Sequence, residues 1–265
     1  MLAGLCFRLF AATGSTGTGA AVVAHRALIS VGSNQSSNWS GDNQGAVEKG
    51  GKVFSEVSGY WNVPTATQHK SSEAEYSSTW VGIGGGCIDA NCNATDGTLV
   101  QAGTEQDVSK SGVASYDAWY ELIRAPGIQI PLTVKAGNRI YVNIAEAAPG
   151  SNVWTILVKN VTTAKSWTTT LPYSSTHATA EWIEETPVVI SSNGNVTVGP
   201  LPKLSTVKID PTTVNGSNPG LKASEELQLV DPNKGTVLAT LGAPDADTDG
   251  FNDCTYATTC AVPSS

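Results

Sequence analysis

From Asn38 onward the chain alternates. Short stretches of apolar, β-branched and aromatic residues are cut by Gly, Asn, Pro and Ser. The stretches predict strands over 53–63, 78–83, 99–108, 114–123, 128–134, 139–145, 153–161, 166–171, 179–185, 204–209, 226–230 and 236–241. Most have period-two alternation or β-branched and aromatic enrichment. Turn chemistry separates them, as in Lys135-Ala136-Gly137-Asn138 and Ser192-Asn193-Gly194-Asn195. No segment carries a 3.6-residue apolar stripe of helix length, and no internal repeat occurs. Many short, evenly spaced strands predict an all-β fold, an antiparallel β-sandwich of jelly-roll or concanavalin type with two curved sheets.

The first part of the chain reads differently. Met1 to Ala12 is apolar apart from Arg8, and Gly14 to Asn38 is rich in Gly, Ser, Thr and Ala. The expected division is therefore a leader or pro-segment with a flexible linker over 1–37, and one sandwich domain over 38–265.

Alternation also sorts side chains to faces. Gln101, Gly103, Glu105 and Asp107 share one side of their strand. Asp117, Trp119, Glu121 and Ile123 share a side of the next. Glu181, Ile183 and Glu185 share a side, with Trp182 and Glu184 opposite, and Trp80 shares a side with Gly82. A face of Gln, Glu, Asp and Trp is no oily core face, and an ordinary wet face would use Lys, Thr and Ser. It has the composition of a substrate groove, although a solvated face with scattered acids reads the same way.

Composition narrows the chemistry. Of 265 residues, 40% are hydrophobic, enough for a core, and 14% are charged, below the roughly 25% usual for soluble domains. The net charge is -8, which argues against a nucleic-acid partner, since that needs basic surface to displace counterions. No apolar run approaches the roughly 18 residues of a membrane span. A small acidic domain of this kind is expected to be monomeric and to tolerate low pH, because few bases charge up in acid.

Two cysteine pairs, Cys87 with Cys92 and Cys254 with Cys260, sit in loops at spacings that suit short-loop disulfides, leaving Cys6 over. A four-cysteine zinc site is the alternative, but neither pair has the usual two-residue spacer. His25, His69 and His177 are the three histidines, and no H-E-x-x-H, G-x-S-x-G, D-T-G or phosphate-loop motif occurs. Asp245-Ala246-Asp247-Thr248-Asp249-Gly250 resembles the start of a calcium loop, with Asp253 as a further oxygen. Tyr256 stands where an EF-hand would need its last acid, so a solvated acidic turn is the other reading.

Carboxylate and amide chemistry remains. A carboxylate can serve as general base and then general acid, and a Gln or Asn amide can steady an oxyanion at any pH because it does not titrate. The segments Asn38-Trp39-Ser40-Gly41, Val57-Ser58-Gly59-Tyr60-Trp61-Asn62-Val63-Pro64, Thr79-Trp80-Val81-Gly82-Ile83-Gly84, Val100-Gln101-Ala102-Gly103-Thr104-Glu105, Tyr116-Asp117-Ala118-Trp119-Tyr120-Glu121 and Ala180-Glu181-Trp182-Ile183-Glu184-Glu185 occur in this order in the glutamic peptidases, or eqolisins. From about Asn38 to Phe251 the chain resembles that family.

The resemblance implies a secreted endopeptidase active in acid, usually made with a pro-segment, needing no cofactor or metal and acting on polypeptides. It places the catalytic pair on Gln101 and Glu181, and groove-lining roles on Trp80, Glu105, Asp117, Trp119 and Glu121. Where fungal members often carry Asp after Trp-Val-Gly-Ile, this chain has Gly84, and the Gly85-Gly86-Cys87 loop that follows differs. A carbohydrate-active or carbohydrate-binding sandwich would also set carboxylates and tryptophans on a concave sheet, with Glu181 working beside Glu121 or Glu105 and Gln101 incidental.

Overall fold

The computed structural model describes residues 22–264, and no helix occurs among them. The strands that matter here are β1 (Val22–Ala24), β2 (Trp39–Gly45), β3 (Glu56–Asn62), β4 (Ser78–Gly84), β5 (Leu99–Val108), β6 (Ala114–Leu122), β7 (Arg139–Glu146), β8 (Val153–Asn160), β9 (Lys165–Pro172), β10 (Thr179–Glu185), β11 (Val188–Ile190), β12 (Val207–Val214), β13 (Glu226–Val230), β14 (Val237–Leu241) and β15 (Phe251–Thr255). Hydrogen-bonded neighbours run β6-β5-β4-β10-β2-β13 in the front layer and β14-β15-β12-β3-β7-β8-β9 in the back layer. Strand β13 belongs to both: its first residues pair β2 and its last pair β14.

The two layers meet through the side chains that alternate inward. Val81, Ile83, Val100, Ala102, Ala118, Ala180 and Trp182 come from the front; Val57, Trp61, Ile140, Val142, Ile144, Trp154, Ile156 and Val158 come from the back. Two buried indoles tie the layers at fixed points. Trp182 Nε1 donates to Ser58 O at 2.8 Å, and Trp61 Nε1 donates to Thr104 Oγ1 at 3.0 Å. A buried indole N–H left unpaired would cost about 1–3 kcal/mol, so these bonds also fix which rings face which strand.

Three of the expected strands, 99–108, 179–185 and 226–230, have the observed bounds. Others differ for physical reasons. The stretch 128–134 pairs only through Ile128–Gln129; beyond it Ile130, Leu132 and Val134 still alternate inward. The stretch 204–209 is divided: Leu204 ends a two-residue strand that pairs with Ala66–Thr67, and Val207–Ile209 begin β12, which continues past Pro211 across a register shift between Ile209 and Thr212. Strand β2, Trp-Ser-Gly-Asp-Asn-Gln-Gly, was not anticipated, because every residue in it is buried and there is no wet face to generate alternation. Residues 22–38, expected to be flexible linker, are packed in part, with residues 29–35 exposed. Strand β1 pairs antiparallel with β11, and His25, Leu28, Ser36, Ser37 and Asn38 are buried. Residues 1–21, with Cys6 and the leader-like run, lie outside the described residues.

Both cysteine pairs form disulfides, Cys87–Cys92 and Cys254–Cys260, which removes the zinc alternative. No helix among the described residues is long and apolar enough to cross a membrane.

The inner layer also holds acids. Glu184 faces inward, accepting from Thr79 Oγ1 at 2.6 Å, while Gln106 Nε2 donates to the same hydroxyl at 2.9 Å. Burial, with Asp253 nearby, pushes the Glu184 carboxyl up to about 8, and burial pushes Asp253 up to about 7. A carboxyl whose folded pKa is raised favours the folded state fully only below its unfolded value, and that contribution is lost as pH climbs through the folded value. The protein is therefore expected to be acid-stable and to weaken between about pH 4 and pH 8. Thermal melting across that range should show a midpoint falling by several degrees, at about 2–4 °C per kcal/mol for a chain of this size. Glu184→Gln should flatten the slope; an unchanged slope would refute the assignment.

Candidate active site

Strand register builds the site. In antiparallel pairs, residues directly opposite one another share a face. Gln101 lies opposite Gly82, and Gly82 lies opposite Glu181. Gln101 also lies opposite Glu121, and Glu181 opposite Asn43. One row across five front strands thus reads Glu121, Gln101, Gly82, Glu181, Asn43, all on the outward face. The next row reads Trp119, Gly103, Trp80, Ile183, Gly41, and the one after it Asp117, Glu105, Ser78, Glu185, Trp39.

Gln101 and Glu181 are two strands apart, about 10 Å between backbones. The residue between them has no side chain. A Cβ on Gly82 would lie 3.2 Å from Glu181 Oε1, so one oxygen of the carboxylate lies over the glycine. Gln101 Nε2 donates to Glu121 Oε2 at 2.8 Å, which uses one of its two N–H groups. Gln101 Oε1 and both carboxylate oxygens of Glu181 have no hydrogen-bond partner in the protein, although both residues are fully buried. Buried polar groups are paired in the great majority of cases, so unpaired groups on either side of the Gly82 gap are candidates to share a bound water.

Burial, reinforced by the Asp96 carboxylate, holds Glu181 well above the ordinary carboxylate range. Burial likewise pushes Glu121 up to about 7. On the far side of Glu181, Asn43 accepts from Cys87 N at 3.0 Å and donates to Cys87 O at 2.9 Å, fastening the disulfide loop beside the carboxylate. That loop leaves β4 at Gly84, whose φ is +97° and whose Cβ would fall 2.1 Å from Thr98 O. An Asp cannot stand there, so the departure noted at Gly84 is built into the backbone.

The outward face is roofed. Residues 25–29 run across it, and Leu28 packs with Trp39, Trp80, Leu99, Trp119 and Ile183 in a second apolar cluster separate from the main core. The His25 ring stacks on Trp119 at 3.7 Å between centroids, 6° from parallel. Its Nδ1 lies 2.9 Å from Glu185 Oε2 and its Nε2 3.4 Å from Glu105 Oε1. Arg26 N donates to Glu185 Oε1, Trp39 Nε1 donates to Arg26 O, and Leu28 N donates to Gly85 O. A cavity of about 280 Å³ opens beside this contact, bordered by residues 22–26, Glu105, Trp119 and Glu121.

Gln101, Glu181, Trp80, Glu105, Trp119 and Glu121 thus share one face, and Asp117 sits half-buried at its edge beside Glu105. Trp80 and Trp119 are fully buried, each with its indole N–H bonded, to Glu185 Oε2 at 3.0 Å and to Ser78 Oγ at 2.9 Å. Sequence reasoning missed Asn43 and His25. Parity had placed Glu185 on this face without giving it a role.

Comparison with known proteins gives the family and the fold. The sequence model of the Peptidase A4 family matches residues 37–249. Among solved structures, scytalido-glutamic peptidase with a transition-state analogue inhibitor aligns at TM-score 0.62 and 20% identity, over 83% of this chain and 98% of that one. SCP-B, described as an eqolisin in complex with the tripeptide Ala-Ile-His, aligns at TM-score 0.59 and 20% identity over the same shares. Aspergilloglutamic peptidase from Aspergillus niger aligns at TM-score 0.53 and 22% identity, over 68% of this chain and 99% of that one. No curated protein sequence matches. The chain belongs to the Peptidase A4 family, the glutamic peptidases, and carries their β-sandwich.

The gap at Gly82 generates a test. Gly82→Ala would place a methyl 3.2 Å from Glu181 Oε1 and 2.9 Å from Trp80 and Leu99. Turnover of an unfolded protein substrate should fall about a hundredfold through misplacement of the carboxylate alone. The strand signal in circular dichroism should be retained. Full activity in a folded variant would show that the carboxylate does not need the gap.

Proposed function

We propose that the chain is a secreted acid endopeptidase in which Gln101 and Glu181 activate a water shared between them. The observation that carries this reading is the pair of unpaired groups on either side of the Gly82 gap, one a carboxylate and one a carboxamide. Ionised Glu181 takes a proton from the water as its oxygen attacks the peptide carbonyl. The second N–H of Gln101 donates to the oxyanion that forms, while Glu121 holds the first. Protonated Glu181 then gives its proton to the leaving amine as the C–N bond breaks, which returns the carboxylate to its starting form. Trp80, Trp119, Glu105 and Asp117 would line the groove for the polypeptide. Secretion is supported by the two disulfides, which persist in oxidising compartments.

Replacing Glu181 by Gln, a near-isosteric change, should abolish acid proteolysis of a denatured protein while leaving the melting curve cooperative. Gln101→Ala should cost on the order of a hundred- to a thousandfold in turnover. Ordinary acid proteolysis by either folded variant would sink the dyad.

The residues ahead of Asn38 are, in this reading, a pro-segment that keeps the site shut. Burial alone would disfavour a charged His25, but the Glu185 and Glu105 carboxylates outweigh it and hold its pKa well above the ordinary value. Asp107 and Glu121 also face this imidazole, with Arg26 and Arg124 as the neighbouring cations. The raised pKa means the charged contact is present through neutral pH and is lost only as pH rises past it. Opening would also release the Gly85 loop from Leu28 and re-admit water to Glu181, lowering its pKa toward the range in which it can act as a base.

Mass spectrometry of the N-terminus after acidification reads this directly. Wild type should lose the residues before Asn38 at about pH 3.5, Glu181→Gln should keep them, and His25→Ala should lose them already at about pH 6. An unchanged pH threshold in His25→Ala would remove the histidine from the device.

A further inference from the structure

The acidic turn singled out in the sequence takes no part in the peptidase face. It joins β14 to β15 in the back layer, and the acids it brings together differ from those the motif suggested. One carboxylate oxygen each from Asp210 on β12 and from Asp245 and Asp249 in the turn lie within 4.8 Å of one another. Asp247 is not in the group, and Asp253 points into the interior with Glu184.

We propose that Asp210, Asp245 and Asp249 form a calcium site that clamps the 245–250 turn to β12. Calcium–oxygen distances are about 2.3–2.6 Å, so oxygens on one ion lie up to about 5 Å apart, which this spacing meets. The second observation is Asp245 itself. It is 4% exposed, and its two oxygens have different fates. Oδ1 accepts from Asp249 N and Gly250 N, both at 3.2 Å, which shapes the turn. Oδ2 has no partner.

Gly250 shows where that oxygen is aimed. A Cβ there would fall 2.8 Å from Asp245 Oδ2 and 2.7–2.8 Å from Asp210 Cβ and Cγ. The turn closes over the two acids only because Gly250 has no side chain, and it leaves Asp245 Oδ2 beside the Asp210 carboxyl. Two carboxyls brought together with one oxygen unpaired need a cation or a proton between them.

Lys208 supplies only part of that charge. Its Nζ lies 2.6 Å from Asp210 Oδ2, and it also donates to Ser264 O. One ammonium against three carboxylates leaves the cluster net negative. The turn around them is already built: Thr212 N and Oγ1 donate to Asp249 O at 2.8 and 2.7 Å, and Leu221 N donates to Thr248 O at 2.9 Å. Asp210 and Asp249 are half-buried, so the open side of the group faces solvent, from which further oxygens would come. Three protein carboxylates with solvent completing the shell suit the larger, more flexible calcium ion better than magnesium. The affinity belongs to the weak extracellular range of about 10⁻⁴–10⁻³ M.

The test uses the full chain at pH 7 and does not depend on the peptidase reading. Calorimetric titration with calcium chloride should give one saturable site. At about 10 mM calcium the melting temperature should rise by about 3–11 °C. Magnesium chloride at matched ionic strength should give a clearly smaller shift. Asp245→Asn keeps the oxygen that shapes the turn but removes the charge, and should abolish both responses; Asp249→Asn does the same should the first variant fail to fold. Lys208→Met removes the competing ammonium and should tighten binding severalfold. No saturable heat, an equal shift with magnesium, or an undiminished response in the folded Asn variants would overturn the site.

Discussion

A single missing side chain holds the front face together as a site. Gln101 and Glu181 project from strands that do not touch, and any residue larger than glycine at position 82 would stand between them. With the gap open, one carboxylate oxygen of Glu181 lies over the glycine, and Glu121 secures the amide of Gln101 from the other side. The whole row is set by antiparallel register. A one-residue slip of β4, β5 or β10 would turn its member of the row into the hydrophobic core. The interlayer indole bonds of Trp182 and Trp61 oppose such a slip, since each would lose its buried acceptor. The proposed chemistry therefore takes its precision from the packing on the opposite face of the same strands.

Burying so many carboxyls has a consistent physical meaning. Glu121, Glu181 and Glu184 in the front layer and Asp253 in the back layer are all pushed upward by desolvation. At neutral pH each charged form would work against the fold, whereas in acid Glu121, Glu184 and Asp253 are neutral and cost little; in the proposed mechanism Glu181 becomes a base there once its site is open to water. A sandwich with this interior is most comfortable at the pH where a carboxylate–amide pair is a sensible choice of catalyst. Histidine chemistry would fail there because the imidazole is protonated, and the uncharged amide of Gln101 is indifferent.

The sequence made the outward face legible and left its roof obscure. Period-two alternation placed Gln101, Glu105, Trp119, Glu121, Glu181 and Glu185 on one side of their strands, because those strands have one oily and one functional face. It said nothing of β2, where Ser40, Asp42, Asn43 and Gln44 are all buried and no alternation exists to read. Nor could it show which glycine lies between Gln101 and Glu181, since that is a matter of pairing between strands distant in the chain. The acidic turn was visible as a motif, but its partner Asp210 comes from another strand, 35 residues before Asp245.

Composition misled most at residues 22–38. A stretch of small and polar residues lacks the means to form its own core, which is why it read as linker. It does not need one. Its backbone finds partners already in place: β11 for residues 22–24, Glu185 for Arg26, Gly85 for Leu28 and Asn38 for Ile29. Between residues 22 and 35 only two side chains are buried. His25 lies flat on Trp119 between two carboxylates, and Leu28 fills the apolar cluster beside it. A segment held chiefly by main-chain bonds and one charged ring leaves little hydrophobic signature. That same economy makes it a contact that a change of protonation can undo, whereas the oily seam between the layers stays closed.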